Sequence, residues 1–134
     1  MRHFVDSNVF LRFLLKDHPV QSPACFAMFE RAEKGLIKLL TTDIILLEIE
    51  WVLRSVAKLD KYNIVDKLQH ILLFDAIEIT NRNILNSALI IYQNKNIDLV
   101  DAYQICWLQN NNISSIYTYD NDFDKVKSIK RLEP

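Results

Sequence analysis

The opening stretch Arg2-His3-Phe4-Val5-Asp6-Ser7-Asn8-Val9-Phe10-Leu11 constrains the fold more than any other part of the chain. Arg2 to Val5 reads as a short strand. It ends on a carboxylate and passes at once into an apolar helical pattern, Val9 to Leu15. A strand that feeds directly into a helix is the first half of a parallel crossover unit. In open α/β sheets, ligands bind outside the carboxyl ends of the strands, where Asp6 stands. Three further acidic positions recur at comparable points: Glu48, Asp101 and Asp120. Carboxylates that meet at one sheet edge repel each other, by roughly 4 kcal/mol per pair at ~4 Å and an effective dielectric near ~20. A hard divalent cation among them, Mg²⁺ or Mn²⁺, relieves that repulsion.

The rest of the chain keeps the same alternation. His18-Pro19 interrupts the first helix. A second helix runs from about Ser22 to Lys34, with Pro23 in its first turn and Gly35 as its stop. Ile37 to Thr41 reads as a strand, and Thr42 or Asp43 then caps a long helix to about Ala57. Tyr62 to Phe74 is helical, with Ile64, Val65, Leu68, Ile71 and Leu72 at helical spacing. Ala76 to Thr80 alternates as a strand, and Asn81 to Asn94 and Asp98 to Gln109 are helices. Ser115 to Tyr119 is a strand, and Ile129 to Leu132 a last short one. Strands separated by helices predict a parallel sheet covered on both faces, in one domain spanning residues 1–134.

Composition removes several function classes. The single glycine, Gly35, excludes a Walker A loop and a G-x-G-x-x-G turn, which need several glycines to approach phosphate closely. The net charge of −1 makes any phosphate contact a local patch rather than a bulk property. Cys25 and Cys106 sit far apart in apolar helical stretches and read as buried free thiols of a reducing compartment. His3, His18 and His70 lack metal-ligand spacing and read as structural or surface residues. Asp6 and Arg12 break up any signal-peptide pattern, and no apolar run approaches the ~18 residues of a membrane span. A cytoplasmic protein without membrane contact is the expectation.

Each acidic residue has a plain alternative. Glu50 lies one turn before Arg54, an ordinary surface pair. Glu48 has Ile44, Ile45, Trp51 and Val52 as helical neighbours, and a carboxylate on an apolar stripe must be paired, protonated or metal-bound. Glu48 is therefore read as the functional acid of the two. Asp98 is a natural N-cap, while Asp101 either complements the helix dipole or joins the site. Asp120 repeats the strand-end position of Asp6, with Asp122 its competitor, although loop aspartates also make Asx-turns. Thr118 and Asn8 are candidate supporting residues. Arg12, Lys16, Arg54 and Arg82 are the candidate phosphate contacts, and no stripe of basic and aromatic residues of the base-stacking kind stands out.

Taken in order, these motifs resemble the PIN-domain family, and within it the VapC-type toxin ribonucleases. The matching pieces are Val5-Asp6-Ser7-Asn8-Val9, then Leu46-Leu47-Glu48-Ile49-Glu50-Trp51-Val52-Leu53, then Asp98-Leu99-Val100-Asp101-Ala102-Tyr103, and last Tyr117-Thr118-Tyr119-Asp120-Asn121-Asp122-Phe123. Any one motif is weak, but four in order across nearly the whole chain are specific.

The resemblance implies a three-layer α/β fold with a parallel sheet of about four to five strands. It implies an endoribonuclease in which Asp6, Glu48 and Asp101 hold one or two Mg²⁺ or Mn²⁺ ions, Asp120 completes the acidic ring, and a metal-activated water attacks phosphorus. It further implies an RNA substrate such as tRNA or rRNA, a cognate antitoxin, and a homodimer.

Three other readings compete. A HAD-type phosphatase needs a second Asp where Asn8 stands. A receiver domain needs paired acids at the first strand and a Lys directly after the fourth strand, and this chain has neither. A non-catalytic module binding RNA or a helical partner would not need all four acids.

Overall fold

The computed structural model describes all residues from Met1 to Pro134. The chain divides into two compact units, Met1–Arg82 and Asn83–Pro134. The first contains β1 (Arg2–Phe4), α1 (Ser7–Leu15), α2 (Gln21–Glu33), β2 (Lys38–Thr41), α3 (Asp43–Ser55), α4 (Lys61–Leu72) and β3 (Ile77–Ile79). The second contains α5 (Arg82–Asn94, starting on the last residue of the first unit), α6 (Leu99–Asn110), β4 (Ser115–Tyr117), a 3₁₀ turn (Asn121–Lys125) and β5 (Lys130–Leu132). The α/β class and the element order are those expected. All five strands pair in parallel, distributed as a three-stranded sheet, β1-β2-β3, and a two-stranded ribbon, β4-β5. No helix is long and apolar enough to cross a membrane.

In the first unit the strand ends are held level. The Val5 amide donates to the Leu40 carbonyl at 2.9 Å, and Thr41 Oγ1 donates to the Val5 carbonyl at 2.9 Å. One face of the sheet, carrying Leu39, Thr41, Ile77 and Ile79, is buried. α1 packs on α2 and α3, and α3 on α4. Phe10, Phe29, Leu46, Ile49, Leu53, Ile64 and Leu68 fill this core. Phe29 meets Phe10 at a ring separation of 5.5 Å and Phe74 edge-on at 5.8 Å, geometries that add to area burial.

α2 stops as its glycine predicts. Gly35 has φ +74°, its amide bonds Ala32, and the Leu36 amide reaches back to Arg31. The N-terminus of α2 is closed by His18, whose Nδ1 accepts from the amides of Val20 and Gln21 at 3.2 and 2.9 Å. His18 is thus structural, as its sequence context suggested.

In the second unit, α5 buries Ile84, Leu85, Ala88, Leu89 and Tyr92, and α6 buries Leu99, Ala102, Ile105 and Cys106. Phe123 and Ile129 join this core. Cys25 and Cys106 are free thiols, and burial pushes both above the usual thiol range.

Candidate functional site

The second unit gathers three carboxylates. Asp101 lies in the first turn of α6, one residue off the buried stripe Leu99–Ala102–Ile105, and is therefore only half-buried. β4 ends at Tyr117 rather than Tyr119, so Asp120 lies three residues past the strand instead of directly at its end; it caps the 3₁₀ turn, accepting from the Asp122 amide at 2.9 Å. The Asp120 amide in turn donates to Thr118 Oγ1 at 3.0 Å. These local bonds turn the chain so that Asp120 and Asp122 both face Asp101. Oxygens of the three carboxylates lie within 4.8 Å of one another.

That proximity has an electrostatic consequence. Burial, and then the neighbouring charges of Asp120, Asp98 and Asp122, push the Asp101 carboxyl above the usual aspartate range. Asp122 is partly compensated by Lys125, whose Nζ lies 2.6 Å from its Oδ1 and also donates to the Asn96 carbonyl at 2.7 Å. Asp124 is turned elsewhere, to the Arg131 guanidinium at 3.1 Å. Asp98 occupies the N-cap of α6, yet its side chain makes no capping hydrogen bond. The sequence weighed Asp120 against Asp122. The structure brings both into the cluster, because a two-residue Asx turn places them side by side.

The first unit carries Asp6, Asn8 and Glu48. Asp6 is at the N-cap of α1, exposed, with its carboxylate not spent on a capping bond. Asn8 is exposed on the first turn of the same helix.

Glu48 and Glu50 reverse the burial expected of them. Glu48 is exposed, and Glu50 is 2 % exposed, with Arg54 Nε donating to its Oε1 at 2.9 Å. The buried stripe of α3 is Ile45, Leu46, Ile49 and Leu53, and Glu50 lies inside it, four residues from Leu46 and three from Leu53. Two apolar neighbours of Glu48, Ile44 and Trp51, are themselves exposed. An apolar neighbour does not place a residue in the core when that neighbour faces water. Glu50 is therefore no surface pair.

Asp43 also stands at the carboxyl end of β2, where the sequence offered it only as a cap. Its Oδ1 accepts from the Ile44 amide at 3.0 Å and its Oδ2 from Asn81 Nδ2 at 2.9 Å, which makes it a structural acid.

Three of the four candidate phosphate contacts are committed to the protein. Arg12 bonds Gln21 at 2.9 Å and Asp17 at 3.2 Å. Arg54 holds Glu50. The Arg82 guanidinium binds the carbonyls of Leu72, Phe74 and Ile77, which ties the end of α4 to β3. Lys16 ends α1 in the left-handed region, at φ 52°, and lines an open groove of about 590 Å³ with Phe13, His18 and Phe26.

Comparison with known proteins places this geometry in context. The family model described as PIN domain matches residues 3–129, nearly the whole chain. No curated protein matches it. Among solved structures, the chain is similar to the crystal structure of VapC20 of Mycobacterium tuberculosis, described as a Sarcin-Ricin loop cleaving toxin. That likeness covers 100% of both chains at 15% identity with a TM-score of 0.43, too loose to carry an argument about activity.

Proposed function

Because the chain belongs to the PIN-domain family, we propose that its acidic residues form the centre of a metal-dependent endoribonuclease. The observation that carries this reading is the convergence of Asp101, Asp120 and Asp122 within 4.8 Å. The donor set is all oxygen and anionic, and it opens to solvent through exposed Asp120. That chemistry fits a hard divalent cation, Mg²⁺ or Mn²⁺.

In this reading Asp101, Asp120 and Asp122 hold the ion, and the order of the motifs adds Asp6 and Glu48 as further acids needed for cleavage. When bound, such an ion supplies an acidified water for attack on phosphorus and positive charge against the phosphate oxygens. The chain's own residues set the conditions. Burial and the neighbouring acids raise the Asp101 carboxyl, and a bound cation favours its ionised form. Thr118 fixes the backbone of Asp120 and so the direction of its carboxylate. Asp98, uncommitted as a cap, adds negative potential beside Asp101. Asn8, two residues after Asp6 and exposed, is a neutral side chain able to orient substrate or water. Lys16 is the remaining candidate for a phosphate contact.

The toxin reading extends this one: a toxin of a toxin–antitoxin pair, cutting RNA such as tRNA or rRNA, restrained by an antitoxin and forming a homodimer in the cytoplasm. Support comes from the order of the motifs and from an apolar cleft in the first unit. Phe10, Phe13, Phe29, Ile71 and Phe74 line that cleft, suited to the apolar face of a helix. Toxicity on expression, relieved by the adjacent small open reading frame, is the expected result.

The test of the nuclease reading is direct. Purified protein is incubated with single-stranded and structured RNA in Mg²⁺, Mn²⁺ or EDTA. Cleavage in metal, its loss in EDTA and its loss in Asp101→Asn are expected. Cleavage indifferent to EDTA would overturn the reading.

A further inference from the structure

The sequence shows no aromatic–basic stripe, but the pairing of β4 with β5 builds one. The two strands run parallel, with Ser115 opposite Lys130 and Tyr117 opposite Leu132. Alternation then sorts their side chains. Ile116, Thr118 and Arg131 are all partly covered. Ser115, Tyr117 and Lys130 are exposed, and so is Tyr119 two residues on. Tyr117 is 70 % exposed and Tyr119 72 %, unusual for two aromatic rings in one short segment. Lys127, in the connection before β5, is exposed as well.

The tyrosines lead directly to the acidic cluster. Tyr119 precedes Asp120, and Tyr117, the last residue of β4, lies two residues and at most about 7 Å further back. The pairing extends one residue past β4, to Thr118, whose amide donates to the Leu132 carbonyl at 2.9 Å, and the chain then bends at Tyr119 before the acids.

We propose that Tyr117 and Tyr119 form a stacking platform for the bases of single-stranded RNA, with Lys130 and Lys127 facing its phosphates, and that this platform leads the strand to the Asp101–Asp120–Asp122 cluster. The proposal rests on the nuclease reading and adds a positioning surface to it. Its occupant is chosen by the chemistry. Aromatic faces accept any base, and cations accept the backbone. Without a cation the three acids repel phosphate, so RNA affinity that persists in EDTA comes from residues beside them. The platform therefore favours unpaired nucleotides over a duplex, whose bases are already stacked.

The test separates binding from cleavage. Affinity for a fluorescein-labelled single-stranded RNA is measured by anisotropy in EDTA, where no cleavage interferes. Tyr117→Ala and Tyr119→Ala are each expected to weaken binding by roughly five- to a hundredfold, while Tyr117→Phe and Tyr119→Phe keep it. Lys130→Ala should flatten the salt dependence of binding. Circular dichroism confirms that each variant is folded; should an alanine variant unfold, the same comparison is made with Tyr117→Ser or Tyr119→Ser.

Folded alanine variants that bind like the wild type overturn the platform. A wild type that dimerises through this face, released to monomer by Tyr117→Ala with RNA affinity unchanged, overturns it too and makes a second copy the occupant. Both results leave the nuclease reading standing if the wild type still cleaves RNA in Mg²⁺ or Mn²⁺. Absence of both binding and cleavage removes the nuclease reading and the platform with it.

Discussion

Asp120 and Asp122 are two residues apart and share a hydrogen bond, and Asp101 joins them from the first turn of α6. Asp6 and Glu48 sit instead on separate elements of the first unit, one at a strand end and one on a helix, both exposed. In the second unit burial first, and then the crowding of Asp120, Asp98 and Asp122, push the Asp101 carboxyl above the usual aspartate range. The proposed cation site of the second unit thus rests on measured proximity, with carboxylate oxygens within 4.8 Å of one another. The proposed role of Asp6 and Glu48 rests on the order of the motifs along the chain.

The largest effect separates the two sets. Asp101→Asn removes one of three clustered charges, so cleavage should fall roughly a thousandfold, several kcal/mol of transition-state stabilisation. The melting temperature without metal should stay level or rise as repulsion is relieved. Asp6→Asn and Glu48→Gln should cut cleavage by a similar factor. Full activity in both would confine the site to the second unit. A large fall in apo melting temperature for Asp6→Asn would mark that residue as structural.

Next in size is Glu50, the contrast to Glu48 on the same helix. Glu50→Ala leaves Arg54 without this partner and a gap in the buried stripe of α3. The expected loss of stability is about 1–3 kcal/mol, read by urea denaturation, because a charged hydrogen bond to a buried group is lost. Cleavage per folded molecule should be unchanged. A Glu50→Ala protein as stable as wild type but inactive would exchange the roles of the two glutamates.

These two residues also mark how far the sequence could be read. Helix periods, caps and the stop at Gly35 are local, and the elements lie within a few residues of where those signals put them. The D-x-N opening and the Asp101 and Asp120 motifs were legible because strand ends and helix starts place them. The phase of α3 was not. Eight of the ten residues from Ile44 to Leu53 are apolar, so periodicity could not say which of Glu48 and Glu50 turned inward. The roles of the arginines were hidden for another reason. Arg82 reaches carbonyls five to ten residues away, a tertiary arrangement with no periodic trace. The division of the strands into three and two depends likewise on pairings between distant segments.

The pH dependence sharpens the contrast within the second unit. The folded-state Asp101 carboxyl titrates above its ordinary value, so the folded state binds the extra proton. Between the ordinary and the raised value, apo stability at this site therefore falls as pH rises, and below the ordinary value the penalty is absent. A bound cation demands the ionised form, so metal affinity should drop as pH falls through the same window, with a proton released on binding. Isothermal titration with Mn²⁺ in buffers of different ionisation enthalpy measures that proton. Binding with no proton release anywhere in the window would remove Asp101 from the ligand set.

The smallest expected effect belongs to Thr118. Its hydroxyl accepts the Asp120 amide, and Asp120 in turn accepts the Asp122 amide, so the loop is held by two short-range bonds in series. Thr118→Val keeps the shape and removes only the first. Stability should change by about 1 kcal/mol or less, the net value of one partly exposed hydrogen bond. Metal affinity should fall about tenfold, the lower end for residues that orient ligands, because the second bond still restrains Asp120. Thr118→Ser restores the acceptor and should restore affinity with it. Equal affinities in Thr118→Val and wild type would mean that the Asx turn alone orients Asp120. Loss in Thr118→Ser but not in Thr118→Val would place the role of Thr118 in its methyl group, which Val keeps and Ser lacks, not in its hydroxyl.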